Sequence, residues 1–327
     1  MRWPRSNPSA PSRVISTTKS ASPWQRRGVG RRADSLFVIL AASSGVLILL
    51  VLAWMVVSTT GTALPVFGSQ GISFITSSEW SPSDGEFGAL AFIYGTVITS
   101  VIALLIAIPL SLGVSLFLTE YSPKRLKTPI GYAIDLLAAV PSVIYGLWGV
   151  FILLPLFLQP TADFLAKYLG FIPIFKGPAS GLSYFGAGVI LAVMITPIIT
   201  SLCREVFATV PNADRHAAYA LGATKWEMIR QSVLPRGRAG IVGAIMLGLG
   251  RALGETIAVA LLIGSAVRID VSWLRPGYSM AAVIANQFQE ATGDHIRALV
   301  GVGVVLFALT ILINMGARAL VWRFNRI

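Results

Sequence analysis

Six long apolar runs set the terms for this chain: Ser35–Val57, Ala89–Leu118, Ile130–Leu158, Phe185–Cys203, Ala239–Val267 and Ala298–Val321. A helix of about 20 mostly apolar residues crosses the hydrocarbon core of a bilayer. Lipid offers no hydrogen bonds, so each backbone N–H and C=O must find its partner within the segment. The runs are continuous rather than alternating, which excludes a transmembrane β-barrel. They predict an all-α polytopic membrane protein with six transmembrane helices. Composition agrees: 12% of residues are charged, against about 25% in soluble domains. The second and third runs exceed the usual length, and Pro109, Pro141 and Pro155 within them predict kinks.

The net charge of +12 raises the question of nucleic acid, and its distribution answers it. Of 26 Lys and Arg residues, 20 fall in segments 1–34, 119–129, 204–238 and 322–327 or at Arg318; only five fall in 58–88, 159–184 and 268–297. Basic loops remain on the cytoplasmic side. Both termini are therefore expected in the cytoplasm, with positive charge facing anionic lipid and a cytoplasmic partner, and no nucleic acid. Residues 1–34 are rich in Ser, Pro, Arg and Lys and are expected to be a flexible basic tail. A membrane domain fills 35–327. The first apolar run is too long for a signal-peptide core and reads as a retained anchor. The single cysteine, Cys203, excludes an internal disulfide and reads as a small residue at a helix end. Two histidines, His216 and His295, stand far apart and argue against a metal site.

The largest loop on the basic side, 204–238, carries its own pattern. Pro211-Asn212-Ala213-Asp214 starts a helix, with Asn212 or Asp214 available as a cap. Ala217 to Leu221 favour helix and Gly222 stops it. A second short helix, 224–233, is expected to end before Pro235. The small residues leave room for a knob from another protein. Ala217, Ala218 and Gly222, followed twelve residues later by Leu234-Pro235, resemble the coupling loop of bacterial ABC importer permeases. His216 stands where that family usually has Glu, and Ser232 where it usually has an apolar residue.

Two further stretches, AAVPSVIYGLWGVF (138–151) and GLGRALGETIAV (248–259), resemble the phosphate-specific importer permeases, the PstC-type chain most closely. The resemblance covers roughly 35–327. It implies a type I importer fold in the bacterial cytoplasmic membrane and a chain that is not itself an enzyme. The implied partners are a second, PstA-type permease, two ATPase subunits that use ATP and Mg, and an external phosphate-binding protein. ATPase coupling would fall to His216, Ala217, Ala218, Gly222, Leu234 and Pro235. The sequence has no G-x-x-x-x-G-K-[ST] phosphate cradle, and no Gly-Lys pair at all, so energy for active transport must come from elsewhere. No cofactor is expected on the chain itself.

Arg251 and Glu255 lie deep in the fifth run, where a charge costs at least about 2.5–3.5 kcal/mol. Two readings stand. An i,i+4 ion pair would neutralise both for assembly, although Arg before Glu is the weaker order. Alternatively, Arg251 offers a planar donor fork to phosphate oxygens, and Glu255 accepts from a protonated phosphate oxygen or re-pairs with Arg251 on release. Gly250 and Gly254 form a G-x-x-x-G pair expected at a helix contact. Ser142 and Tyr145 are lesser candidates to line the path. Asp135 reads as an interfacial cap or a partner for Lys127. Trp80, Trp273 and Tyr278 fit an interfacial belt. Rival readings are a permease for sulfate or molybdate, a passive anion channel, or a membrane scaffold.

Overall fold

The computed structural model describes residues 30–324. The chain divides at Met55 and Val56 into two units. In the first, the described residues are the opening part of helix α1 (Gly30–Gln70), and apolar side chains from Leu36 to Trp54 are exposed along it. Most of the proposed tail, residues 1–29, lies outside the described residues; helix already begins at Gly30, inside the segment expected to be tail.

The second unit holds the rest. After a short helix α2 (Ser73–Thr76), strands β1 (Trp80–Ser81) and β2 (Glu86–Phe87) pair antiparallel with Trp80 opposite Phe87. Helix α3 (Leu90–Leu116) runs into a π-helical turn, Phe117–Tyr121. Helix α4 (Lys124–Ala138) is followed by α5 (Ser142–Trp148), a π segment at Gly149–Leu158 and α6 (Gln159–Leu169). Helix α7 (Tyr184–Ala208) leads to α8 (Asn212–Ala220) and α9 (Lys225–Met228). A π turn, Ile229–Val233, then passes into α10 (Leu234–Leu253), followed by α11 (Ile257–Leu262), α12 (Met280–Gln287) and α13 (Asp294–Phe324).

Six helices among the described residues are long and apolar enough to cross a membrane: Asp34–Gln70, Leu90–Tyr121, Ser142–Leu169, Tyr184–Ala208, Lys225–Leu253 and Asp294–Gly316. The number matches expectation, but the bounds of the first, third and fifth do not; the first helix runs on to Gln70, past the expected Val57. The third run is not one kinked helix. It breaks at Ala139–Pro141, where Pro141 takes an extended ψ of 138° and becomes the N-cap of α5. Proline favours that position because it has no N–H to satisfy at a helix start. The spanning helix therefore begins at Ser142, and the Asp135 segment belongs to the separate α4.

The fifth run is displaced too. Its helix starts at Lys225 and does not end before Pro235: a π turn at Ile229–Val233 leads directly into α10, and the proline sits at that junction. It ends at Leu253, well short of the expected Val267. Pro155 falls within the other long π segment.

Helix α7 is the axis of the core. Ile190, Leu191, Met194, Ile195 and Ile199 are fully buried along it, and α3, α4 and α10 pack around it. Ser111 on α3 donates to the Thr196 carbonyl at 3.0 Å, so lipid-depth packing is fastened by a hydrogen bond. Against α10, the close approach is made at Gly248. A Cβ there would lie 2.7 Å from Ile199. Gly237 and the buried Ala244 and Ala252 continue the same small-residue face. Gly250 has nothing of this chain within 4 Å of a built Cβ, and Gly254 meets only the Gly250 carbonyl at 3.6 Å. The expected G-x-x-x-G contact is therefore not made within this chain. The helix contact sits on the neighbouring stripe.

Tyr278 is 3% exposed, and its hydroxyl accepts from Asn286 at 3.0 Å, so it is a core residue rather than part of a belt. The indole N–H of Trp80 donates to Gln287 at 3.0 Å, tying the hairpin to α12.

Candidate functional site

The fifth run places its two charges at a break. Helix α10 ends with Arg251 in its last turn, Gly254 is the C-cap, and α11 starts afresh at Ile257. The partial negative charge at a helix C-terminus favours a cation, and the N–H groups of a helix start favour an anion. Arg251 occupies the first position. Glu255 occupies the second: its Oε1 accepts from the Ala258 N–H at 3.3 Å, and the residue is 8% exposed.

This geometry removes the i,i+4 pair. Among the described residues no ion pair joins Arg251 to Glu255. The two positions belong to different helices, one side chain exposed and the other buried. Discontinuous helices of this kind line substrate sites in transporters because unwound backbone is tolerated only where protein or a cavity covers it. Arg251 shares an exposed stripe with Gly243, Leu247, Gly254, Ile257 and Leu261, which runs through the break in steps of three or four residues.

Tyr145 lies on α5, next to the break before it. Its hydroxyl donates to the Leu137 carbonyl at 2.7 Å and spans the break between α4 and α5. Ser142, half-buried, is the first residue of α5. Asp135 meets neither Arg251 nor Lys127. It accepts from Arg204 at 3.1 Å and from Ser201 at 2.9 Å, pinning α4 to the end of α7.

A second constellation forms at the end of the bundle. Helix α8 starts after Pro211 without a side-chain cap: Asn212 accepts from Arg215 at 3.3 Å, and Asp214 pairs with Arg236 at 2.9 Å. Gly222 has a φ of +84°, a conformation L side chains rarely adopt, and it turns the chain sharply toward α9. Thr224 and Glu227 then form a reciprocal capping box at the start of α9. Leu221 is 89% exposed beside the turn. Ala217, Ala218, Leu221, Ser232 and Pro235 line one groove of about 540 Å³. His216 is exposed, and Leu234 packs its half-buried side chain on the core. Four of the residues picked out by the loop pattern thus sit around one groove and turn. The sequence reading passed over Arg215 and Glu120, whose side chains form a part-buried ion pair at 2.9 Å. The signal available was a lone acid closing a long apolar run opposite an Arg-rich loop.

The family described as "Binding-protein-dependent transport system inner membrane component" matches residues 107–326, which include the break and the loop. The chain belongs to this family. It is a permease, a multi-pass inner-membrane transport subunit. Relatives named "Phosphate transport system permease protein PstC" share 44% identity over 312 residues in Xylella fastidiosa, covering 94% of this chain and 96% of that protein. In Mesorhizobium japonicum the figures are 45% over 298 residues, with 89% and 91% covered. Among solved structures, a bacterial alginate ABC transporter is similar with a TM-score of 0.57 at 15% identity, covering 88% of this permease and 93% of that chain. The MetNI methionine ABC transporter is similar with a TM-score of 0.53 at 18% identity, covering 71% and 94%. These two likenesses establish the ABC importer permease fold.

Proposed function

We propose that this permease carries inorganic phosphate into the cytoplasm, powered by separate ATPase subunits and supplied by an external phosphate-binding protein. A second, PstA-type permease completes the membrane pathway. The observation that carries the reading is Arg251, an exposed guanidinium at a break in a spanning helix with no carboxylate across from it among the described residues. Such a fork recognises tetrahedral oxyanions. The names of the relatives supply the anion.

In this reading the open stripe of α10 and α11 faces the partner permease, and Arg251 meets phosphate in the seam. Glu255 has one oxygen engaged with Ala258 and uses the other to accept from a protonated phosphate oxygen, which favours phosphate over sulfate. Weak holding suits passage, since a site must also release. The groove beside Leu221 receives the ATPase, which binds ATP and Mg; closure of the ATPase pushes α8 and switches the bundle. The 20-to-5 distribution of Lys and Arg supports placing that groove, and both termini, in the cytoplasm.

The test is uptake in proteoliposomes containing the purified complex. Phosphate accumulation that needs ATP and binding protein, stops with vanadate and resists excess sulfate is expected. Uptake at the same rate without ATP would favour a channel, and equal competition by sulfate or molybdate would make the chain a general oxyanion permease.

A further inference from the structure

Two consecutive residues at the end of α3 hold both helices of the docking loop. Glu120 accepts from Arg215 on α8 at 2.9 Å, with the two side chains 7% and 15% exposed. Tyr121 presents its ring to Lys225 on α9, with the ammonium 4.4 Å from the centroid. Arg215 does more than pair. It donates to the Phe207 carbonyl at 2.8 Å, to the Val210 carbonyl and to the Asn212 side chain. Phe207 belongs to the last turn of α7, and its carbonyl also accepts from the Val210 N–H at 3.4 Å. One guanidinium thus fastens α8 to the ends of α3 and α7 together.

We infer that the π turn Phe117–Tyr121 is the fulcrum of coupling: Glu120 and Tyr121 make the docking loop move as one body with α3 and α7. This rests on the proposed role of that loop in ATPase docking. The physical argument is stiffness. Parting a charge pair that is largely shielded from water leaves each charge without its partner, which is unfavourable. A push on α8 is therefore delivered to the ends of two spanning helices instead of being lost in loop bending. The π turn suits the role, because its extra residue per turn re-aims neighbouring side chains and such turns concentrate at functional places. Glu120 and Arg215 are positioning residues; neither touches substrate.

The experiment uses the whole complex in proteoliposomes and reads phosphate taken up per ATP hydrolysed. Glu120→Gln is expected to keep ATPase copurification and to lower that ratio about five-fold or more, the lower end of usual inter-site coupling. The double variant with Arg215→Gln should be no worse than the worse single variant. An unchanged ratio, or single-variant losses that multiply, overturns the inference. A second measurement is independent of ATP: spin labels on the exposed Ala213 and Pro123 report the distance between α8 and the end of α3. One narrow distance distribution is expected in the parent chain and a broadened one in Glu120→Gln; equal widths overturn the inference. Should Glu120→Gln fail to accumulate, Arg215→Lys serves for both measurements with the same expected directions, since it keeps the charge but loses the fork. Absence of ATP-driven uptake by the parent complex would sink the transport reading alone, and the spin-label distances would still decide the fulcrum.

Discussion

Arg251 closes α10 while Glu255, four residues on, stands at the entry to α11, and the two do not pair. The break at Gly254–Thr256 gives each charge the helix end that suits it, carbonyls for the cation and N–H groups for the anion. A continuous helix would have brought the two together and left the guanidinium occupied. Interrupted, it leaves the guanidinium exposed on the permease surface.

Substituting Arg251 tests that exposure. Arg251→Gln keeps the length and some donors but removes the charge. A charge-assisted contact contributes about 1.5–3 kcal/mol, so uptake should fall about ten- to a hundred-fold while the complex purifies at parental abundance. Parental uptake by that variant would remove Arg251 from the pathway.

Packing on α10 gives a prediction free of transport. Gly248 lies against Ile199, so Gly248→Val should overpack the contact and cost about 1–3 kcal/mol. Ile199→Ala in the same chain should recover part of the loss by making room. Apparent melting temperature in detergent is the measurement. A Gly248→Val chain as stable as the parent would show that α10 and α7 adjust freely.

The lipid constraint explains what could be read in advance and what could not. Apolar length alone identifies six spans, because a helix in hydrocarbon has few alternatives. The breaks are a different matter. Pro141 and Gly254 each lie inside a long, mostly apolar stretch, so hydropathy sees one run where the backbone makes two helices. Pro235 misleads in the opposite sense: it reads as a stop, yet the helix runs through it from Lys225 to Leu253, with a π turn just before it. The Gly250–Gly254 pair fits a known spacing, but Gly248 meets the neighbouring helix within the chain because α7 lies on the other stripe. The loop pattern of Ala217, Ala218 and Gly222 was legible because turn chemistry is local. Glu120 and Arg215, 95 residues apart, meet only through the tertiary fold.

The docking groove can be challenged at its most exposed apolar residue. Leu221 is 89% exposed, so Leu221→Asp removes no packing within the chain. It should leave the permease folded and lower copurification of the ATPase, since an apolar anchor at an interface centre typically contributes about 2 kcal/mol or more. Gly222→Val should act in the same direction through the backbone, because a β-branched residue is strained at a φ of +84°. Pull-down yield against membrane abundance separates loss of docking from loss of fold, and undiminished yield with Leu221→Asp would move the ATPase contact elsewhere.

Glu255 allows selectivity to be separated from architecture. Its carboxylate accepts from Ala258 at 3.3 Å at the start of α11, and an amide oxygen can accept the same bond, so Glu255→Gln should leave the break intact. What the amide loses is charge, and with it the preference for a protonated anion oxygen over one without a proton. Phosphate uptake should fall and inhibition by sulfate should rise, with discrimination reduced by about ten-fold if one charged hydrogen bond supplies it. Glu255→Ala removes the capping acceptor as well, so it should also lower stability, by about 1 kcal/mol. If Glu255→Gln transports phosphate at the parental rate and ignores sulfate as the parent does, while Glu255→Ala alone is damaged, the residue only supports the helix start and selectivity rests on Arg251.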